Sequence, residues 1–171
     1  MDIKAVAIVL GFVLLVVLFV MNKKKRESLL AEQKILERPK DFAEYTEEFT
    51  LRPVSMQEVE KTIQSSAVLQ ENGCEIQTDD SRILFKNANY KAVLVCTEKN
   101  EEKSVWEFAF VEWSTYEYST NTIIRWLESN KDMEMNALLT GIEKMFLNFD
   151  SEAKVKKVKS DITSKRKFYY Y

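Results

Sequence analysis

The sequence lacks the residues on which most enzyme sites depend. Its 171 residues include no histidine, two cysteines and three glycines. Without histidine, the histidine-based triads, the histidine general bases and most transition-metal sites are excluded. The two cysteines are too far apart for a CxxC zinc motif, and three glycines cannot form a phosphate-binding loop or a dinucleotide fingerprint. We therefore expect no catalytic residue, no metal and no cofactor, and a protein that is not an enzyme.

The charge is distributed unevenly along the chain. Residues 1–26 carry a net charge of +4 and residues 151–171 carry +5, which leaves −11 for residues 27–150 within the total of −2. An acidic body is a poor partner for nucleic acid, because binding would have to neutralise phosphates. Anionic lipid headgroups suit the two basic ends better.

A long uncharged segment near the start of the chain is typical of a membrane span. Residues 5–21 contain no charged residue and no proline. As a helix they rise about 25 Å, and Lys4 and Lys23 can extend to the interfaces of a hydrocarbon core of roughly 30 Å. A signal peptide would end in small residues, whereas this segment runs into a lysine cluster. The sequence predicts a retained transmembrane anchor over residues 1–22, in contact with the bilayer through residues 5–21.

The charges that flank the span predict its orientation. Four basic residues follow it directly, whereas Lys4 before it is offset by Asp2. The positive-inside rule then places the N-terminus outside the cell membrane and the domain in the cytoplasm, although the opposite orientation stays open. The basic residues expected to contact the membrane here are Lys23, Lys24, Lys25 and Arg26.

Residues 23–40 consist of helix formers up to Pro39, which predicts a helical juxtamembrane linker that ends at this proline. The soluble domain is expected over residues 41–150. Alternation around Phe49 and Leu51 indicates a first strand. A capping box then opens a helix, which closes at the left-handed position offered by Gly73. The capping box is formed by Ser55 and Glu58.

Four strands and two helices are predicted to follow. The predicted strands are Cys74–Thr78, Arg82–Lys86, Tyr90–Thr97 and Val105–Tyr118, and the predicted helices are Thr120–Asn130 and, capped by Asp132, Met133–Phe149. The order β-α-β-β-β-β-α-α indicates an α+β fold, because consecutive strands form antiparallel hairpins. We expect a twisted antiparallel sheet in which the last of these strands is central, with helices packed on one face of the sheet.

The aromatic side chains of the longest predicted strand suggest a cavity for an apolar ligand. Strand alternation places Trp106, Phe108 and Phe110 on one face, and Trp113 on the other with Val105, Ala109 and Val111. A curved sheet closed by an amphipathic helix can enclose an apolar cavity, although a filled core is the simpler interpretation. The candidate cavity residues are Trp106, Phe108, Phe110, Trp113, Leu138, Ile142 and Phe146.

Acidic residues are the remaining candidates for a catalytic role. Asp79 and Asp80 lie in a predicted turn, where a paired-carboxylate site is poorly supported. Glu107 and Glu112 lie on the aromatic strand, where either could be a buried carboxylate with a raised pKa, or simply an exposed charge.

The tail, residues 151–171, combines basic residues with an aromatic end. It is either a solvated charged tail, or an edge strand with Val155 and Ile162 inward, or a segment that contacts the membrane. The membrane-contacting alternative uses Lys165, Arg166 and Lys167.

These patterns favour a single-pass membrane protein with a non-enzymatic binding or scaffolding domain on the cytoplasmic face and an unknown protein partner. The alternative is a carrier or sensor of an apolar, lipid-like ligand held between the sheet and the C-terminal helix.

Overall fold

The first helix of the chain is long, apolar and unpacked over most of its length. The structure is a computed structural model that describes residues 3–66, 69, 73–117, 122–159 and 164–169. Helix α1, Ile3–Ala31, contains a segment that is long and apolar enough to cross a membrane. Its large side chains project away from the domain, and Ile8 is 72% exposed. Exposed apolar surface of this extent is unusual for a protein in water.

Helix α1 continues beyond the apolar segment, as predicted, but it ends at Ala31, well before Pro39. A Schellman motif closes it: the Lys34 N–H donates to the Leu29 carbonyl at 2.8 Å and the Gln33 N–H to the Leu30 carbonyl at 3.0 Å. Gln33 takes the left-handed conformation, with φ 55°, that glycine usually supplies at this position. The predicted stop at Pro39 is therefore wrong, because the backbone reverses without a proline.

The domain is α+β, as predicted, and its described strands form one sheet. The strands are β1 (Tyr45–Leu51), β2 (Glu75–Thr78), β3 (Arg82–Lys86), β4 (Tyr90–Lys99), β5 (Ser104–Glu117), β6 (Lys154–Lys159) and β7 (Ser164–Tyr169). Their order is β2-β3-β4-β5-β1-β6, with antiparallel neighbours. Strand β5 is central, since β4 lies on one side and β1 and β7 lie along the other; β7 runs parallel to it.

Helix α2, Met56–Ser65, begins with the predicted capping box, in which the Glu58 N–H donates to Ser55 Oγ and the Ser55 N–H donates to the Glu58 carboxylate. Its buried residues Val59 and Ile63 join the main core on one face of the sheet.

The last helix differs from the prediction. Helix α3 runs without a break over Thr122–Phe149, where two helices were expected to meet at Asp132. No proline or glycine lies at the expected break, and the side chains there bond within the helix: Asn130 Nδ2 donates to the Trp126 carbonyl and Lys131 to Glu128. Asp132 is therefore an interior position and not a cap. The two predicted helices are one.

Strand β6 lies at an edge of the sheet, within the segment considered either a tail or an edge strand. Val155 lies opposite the core residue Phe49, yet it stays 41% exposed because no further strand covers that edge in the described part of the chain. Ile162 lies outside the described residues. Lysines along an edge strand also discourage pairing with other chains.

Candidate functional site

The junction between helix α1 and the domain contains a set of part-buried polar contacts among the described residues. After α1 ends, the chain turns back and lies along α3. Ile35 is 2% exposed and packs with Met133 and Ala137 of α3, with Leu29 and Leu30 partly buried beside them. This small apolar cluster is separate from the main core. It fixes the end of α1 against the middle of α3.

A single amide side chain of α3 holds the backbone that follows α1. The Leu36 N–H donates to Asn136 Oδ1 at 3.1 Å, and Asn136 Nδ2 donates to the Leu36 carbonyl at 2.7 Å. The same Oδ1 accepts from Thr140 Oγ1 at 3.1 Å. One turn further, Lys144 Nζ donates to the Gln33 carbonyl at 2.6 Å. The segment that follows α1 is thus bonded through Gln33 and Leu36 to side chains of α3.

The side chain of Arg38 extends from the segment after α1 into the interior of the domain. Its side chain is 5% exposed and forms a forked pair with the Glu143 carboxylate of α3, with Nη1 donating to Oε1 at 3.1 Å and Nη2 to Oε2. Nη2 also donates to Thr140 Oγ1 at 3.2 Å and Nε to Asn136 Oδ1 at 3.0 Å. Planar pairing of this kind is specific to arginine, since lysine offers no fork.

A second carboxylate and a second cation complete the cluster. Glu47 of β1 lies 3.5 Å from Arg38 Nη1 and 2.6 Å from Nζ of Lys157 on β6, and Lys157 also lies 4.0 Å from Glu143. Two cations balance two carboxylates, so the cluster is neutral. We call Arg38, Glu47, Glu143 and Lys157 the junction cluster. It joins the segment that follows α1 to β1, α3 and β6.

Within the junction cluster, the Glu47 carboxylate is buried without a full set of hydrogen bonds. Its Oε2 is buried without a hydrogen-bond partner in the described structure. Burial raises the pKa of Glu47 above its ordinary value of 4.5, although the Lys157 ammonium opposes this, and the Glu143 carboxylate raises it further. A carboxylate held in this way has lost water without gaining a full set of donors.

The raised pKa of Glu47 predicts how the free energy of unfolding depends on pH. The native state binds a proton at Glu47 more tightly than the unfolded chain does, so the free energy of unfolding should fall as pH rises from 4.5 through the raised pKa. The substitution Glu47→Gln should remove this fall, and the variant should gain stability relative to the parent as the pH rises. Urea unfolding measured across this pH range checks the result.

Glu48→Gln is the matched control for that substitution. Glu48 lies on the opposite face of β1, half-buried, and pairs in register with Glu107. The Glu48→Gln variant should keep the pH profile of the parent. Identical profiles for all three proteins would show that Glu47 does not carry the effect.

A cleft of about 670 Å³ opens beside the junction. Its lining includes Arg26 of α1, Lys40, and Glu128 and Asp132 of α3. A smaller cleft of about 170 Å³ shares Lys40, Glu128 and Asp132. Between the two acids on α3 lies Lys131, 3% exposed, whose Nζ donates to Glu128 at 2.7 Å and to the Ser114 carbonyl at 2.8 Å. Burial raises the pKa of Asp132, whose carboxylate lies 3.3 Å from Lys131.

The structure brings the seven candidate cavity residues together in one core. Phe146 stacks on Phe49 at 4.7 Å between ring centroids and lies 5.8 Å from Trp106. All seven side chains are buried in this cluster. Trp113 joins the same face as Phe110, contrary to its predicted placement, because a register irregularity between Lys91 and Ala92 adds a residue to β5. Close ring packing favours a filled core, and ligand binding there stays a prediction.

In the described part of the chain, the other candidate residues predicted from the sequence do not come together in a site. Asp79 accepts bonds from Arg82 and from Ser81, which hold its pKa at about 2 and make it part of a turn, as expected. Glu112 pairs with Lys91 at 2.8 Å, and Glu107 is half-buried on the face away from α3. Lys23, Lys24, Lys25 and Arg26 are exposed on α1. The backbone of Lys165, Arg166 and Lys167 lies in β7, beside β5.

Sequence reasoning missed the junction cluster. One signal was available: Glu47, Phe49 and Leu51 alternate, which places Glu47 on the buried face of β1. Asn136, Thr140 and Glu143 likewise form a polar stripe at helical spacing on α3. Neither pattern identifies Arg38 as the partner, since about 100 residues separate it from that stripe.

Among the residues that the structure describes, no group of three His, Cys, Asp or Glu side chains is arranged to hold a metal ion. Cys74 and Cys96 form no disulfide among the described residues, and burial raises the pKa of each. Comparison of the chain with protein-family models, with curated proteins and with solved structures finds no match, so its function has to be argued from its own residues.

Proposed function

We propose that this chain is a single-pass membrane protein whose α+β domain binds a protein partner at the cytoplasmic face without catalysing a reaction. The observation that carries the proposal is the docked junction between α1 and α3. Asn136 bonds both polar groups of Leu36, and Arg38 is buried against Glu143. A tether that only confined the domain could be a solvated linker. A docked segment also sets the direction in which the domain faces.

The composition of α1 supports the membrane part of the proposal. The exposed apolar side chains of the helix find their best solvent in lipid, where every backbone group must be bonded within the helix. The basic residues Lys23 to Arg26 follow directly and support a cytoplasmic domain, because moving them across the bilayer is costly. Confinement to a leaflet raises the concentration of the domain near membrane partners.

Thiol labelling tests both anchoring and orientation. A cysteine introduced by Glu101→Cys lies in the exposed loop between β4 and β5. We expect the variant to stay with the membrane fraction under alkaline extraction. We also expect a membrane-impermeant thiol reagent to leave it unlabelled in intact cells and to label it after permeabilisation.

The parent chain is the control, because it reports the background from Cys74 and Cys96 alone. Labelling of the variant in intact cells would reverse the proposed orientation and leave the anchor in place. Release of the chain into the supernatant would reject the anchor itself.

A further inference from the structure

We propose that the cleft beside the junction binds the headgroup of a membrane phospholipid that carries a primary ammonium group, with its phosphate against Arg26 and Lys40 and its ammonium against Asp132 and Glu128. This inference rests on the proposed membrane anchoring. It adds a specific lipid site to a domain that α1 anchors.

The position of the cleft follows from how α1 and α3 pack. Arg26 lines the cleft with Glu128 and Met133, and Leu29 and Leu30 pack against the cluster of Ile35, Met133 and Ala137. Positions along both helices increase together, so the two helices run in the same direction here.

The N-terminal half of α3 is therefore the part nearest the membrane. Arg26 lies five residues beyond Met21, or about 7 Å along a helix, and the headgroup layer of a bilayer is about 5–7 Å thick on each side. The cleft thus opens at the level of the lipid headgroups.

The charges that line the cleft match a zwitterion. Arg26 and Lys40 are exposed and form no ion pair with the described residues, so their donors can reach a phosphate. The charge of Lys40 also lowers the pKa of Asp132, against the larger effect of burial, which raises it. Asp132 keeps 45% of its side chain exposed beside buried Lys131, and its carboxylate can accept a hydrogen bond from an ammonium. A quaternary ammonium has no N–H to donate, and a glycerol headgroup has no positive charge. The lining therefore favours phosphatidylethanolamine over phosphatidylcholine and phosphatidylglycerol.

The size of the cleft is also appropriate. Its volume of about 670 Å³ lies within the range of roughly 300–1,000 Å³ that is typical of small-molecule sites. Ile35, Phe42 and Met133 add apolar lining, against which the glycerol backbone of a lipid can pack.

Native mass spectrometry of the full chain in mild detergent tests the site, with the three phospholipids added in turn. We expect phosphatidylethanolamine to be retained roughly tenfold better than the other two, because one hydrogen bond to a charged group is worth about a tenfold step in binding. Lys40→Ala combined with Arg26→Ala should reduce retention of every phospholipid. Asp132→Asn should remove the preference for ethanolamine over choline and leave phosphate binding in place.

Lys61→Ala, an exposed lysine on α2, is the control and should change nothing. Equal retention of the three lipids, or retention that the cleft variants do not alter, would overturn the inference. Displacement of bound lipid by inorganic phosphate alone would also overturn it, since the cleft would then be a free-phosphate site. These failures are distinct from failure of the anchor, which alkaline extraction reports separately.

Discussion

Replacing Arg38 with alanine is expected to lower the free energy of unfolding by about 3–5 kcal/mol, the usual cost of removing one partner from a buried ion pair. The substitution leaves the Glu143 and Glu47 carboxylates buried with Lys157 as the one remaining cation of the junction cluster. It also removes the donors to Asn136 and Thr140. Urea unfolding of the full chain in detergent micelles, followed by tryptophan fluorescence, measures the loss.

Two further variants separate charge from geometry at Arg38. Arg38→Lys keeps the charge but loses the fork, so its stability should lie between those of the parent and Arg38→Ala. Arg82→Ala removes an exposed arginine from its ion pair with Asp79 and should leave the stability close to that of the parent. If Arg38→Ala were no more destabilised than Arg82→Ala, the junction cluster would not hold the tether to the domain.

Replacing Phe146 with alanine is expected to cost about 3–5 kcal/mol of stability, because the ring is fully buried between Phe49 and Trp106. The lost contacts leave a cavity that the packed surroundings fill only in part. The same unfolding measurement checks the loss. Leu147→Ala, one residue further along α3 and 44% exposed, should change the stability by less than about 0.5 kcal/mol.

The Phe146 experiment also separates the packed core from the apolar-carrier alternative. A region built to hold a ligand has space beside its rings, so truncating one ring would cost less than about 3 kcal/mol, the lower end of the usual cost in a packed core. In that case a long-chain fatty acid should stabilise the parent chain. A small loss at Phe146 together with such stabilisation would favour the carrier.

Most of the fold could be predicted from local patterns. The capping box at Ser55, the turn at Asp79 and the aromatic central strand each depend on residues close together in the chain, where propensity and alternation are informative. The helix boundaries were harder. Gln33 adopts a conformation that glycine favours, and α3 passes through Asp132, because tertiary packing overrides the weak signals of single residues.

The candidate site could not be predicted, because it depends on contacts between distant parts of the chain. Read alone, Arg38 belongs to the predicted helical linker that ends at Pro39. It is buried because α3 offers Asn136, Thr140 and Glu143 on one stripe. Only the folded arrangement identifies which polar stripe faces the tether. The cleft likewise combines Arg26 with Asp132, which more than 100 residues separate.

Amide hydrogen exchange at Leu36, in the full chain reconstituted in lipid vesicles, tests the central claim most directly. The account predicts slow exchange, comparable to that of the β5 amides, because the Leu36 N–H is bonded to Asn136 Oδ1 at 3.1 Å in a docked segment. Exchange at the rate of an unstructured peptide would contradict it, since the segment between membrane and domain would then be a solvated linker.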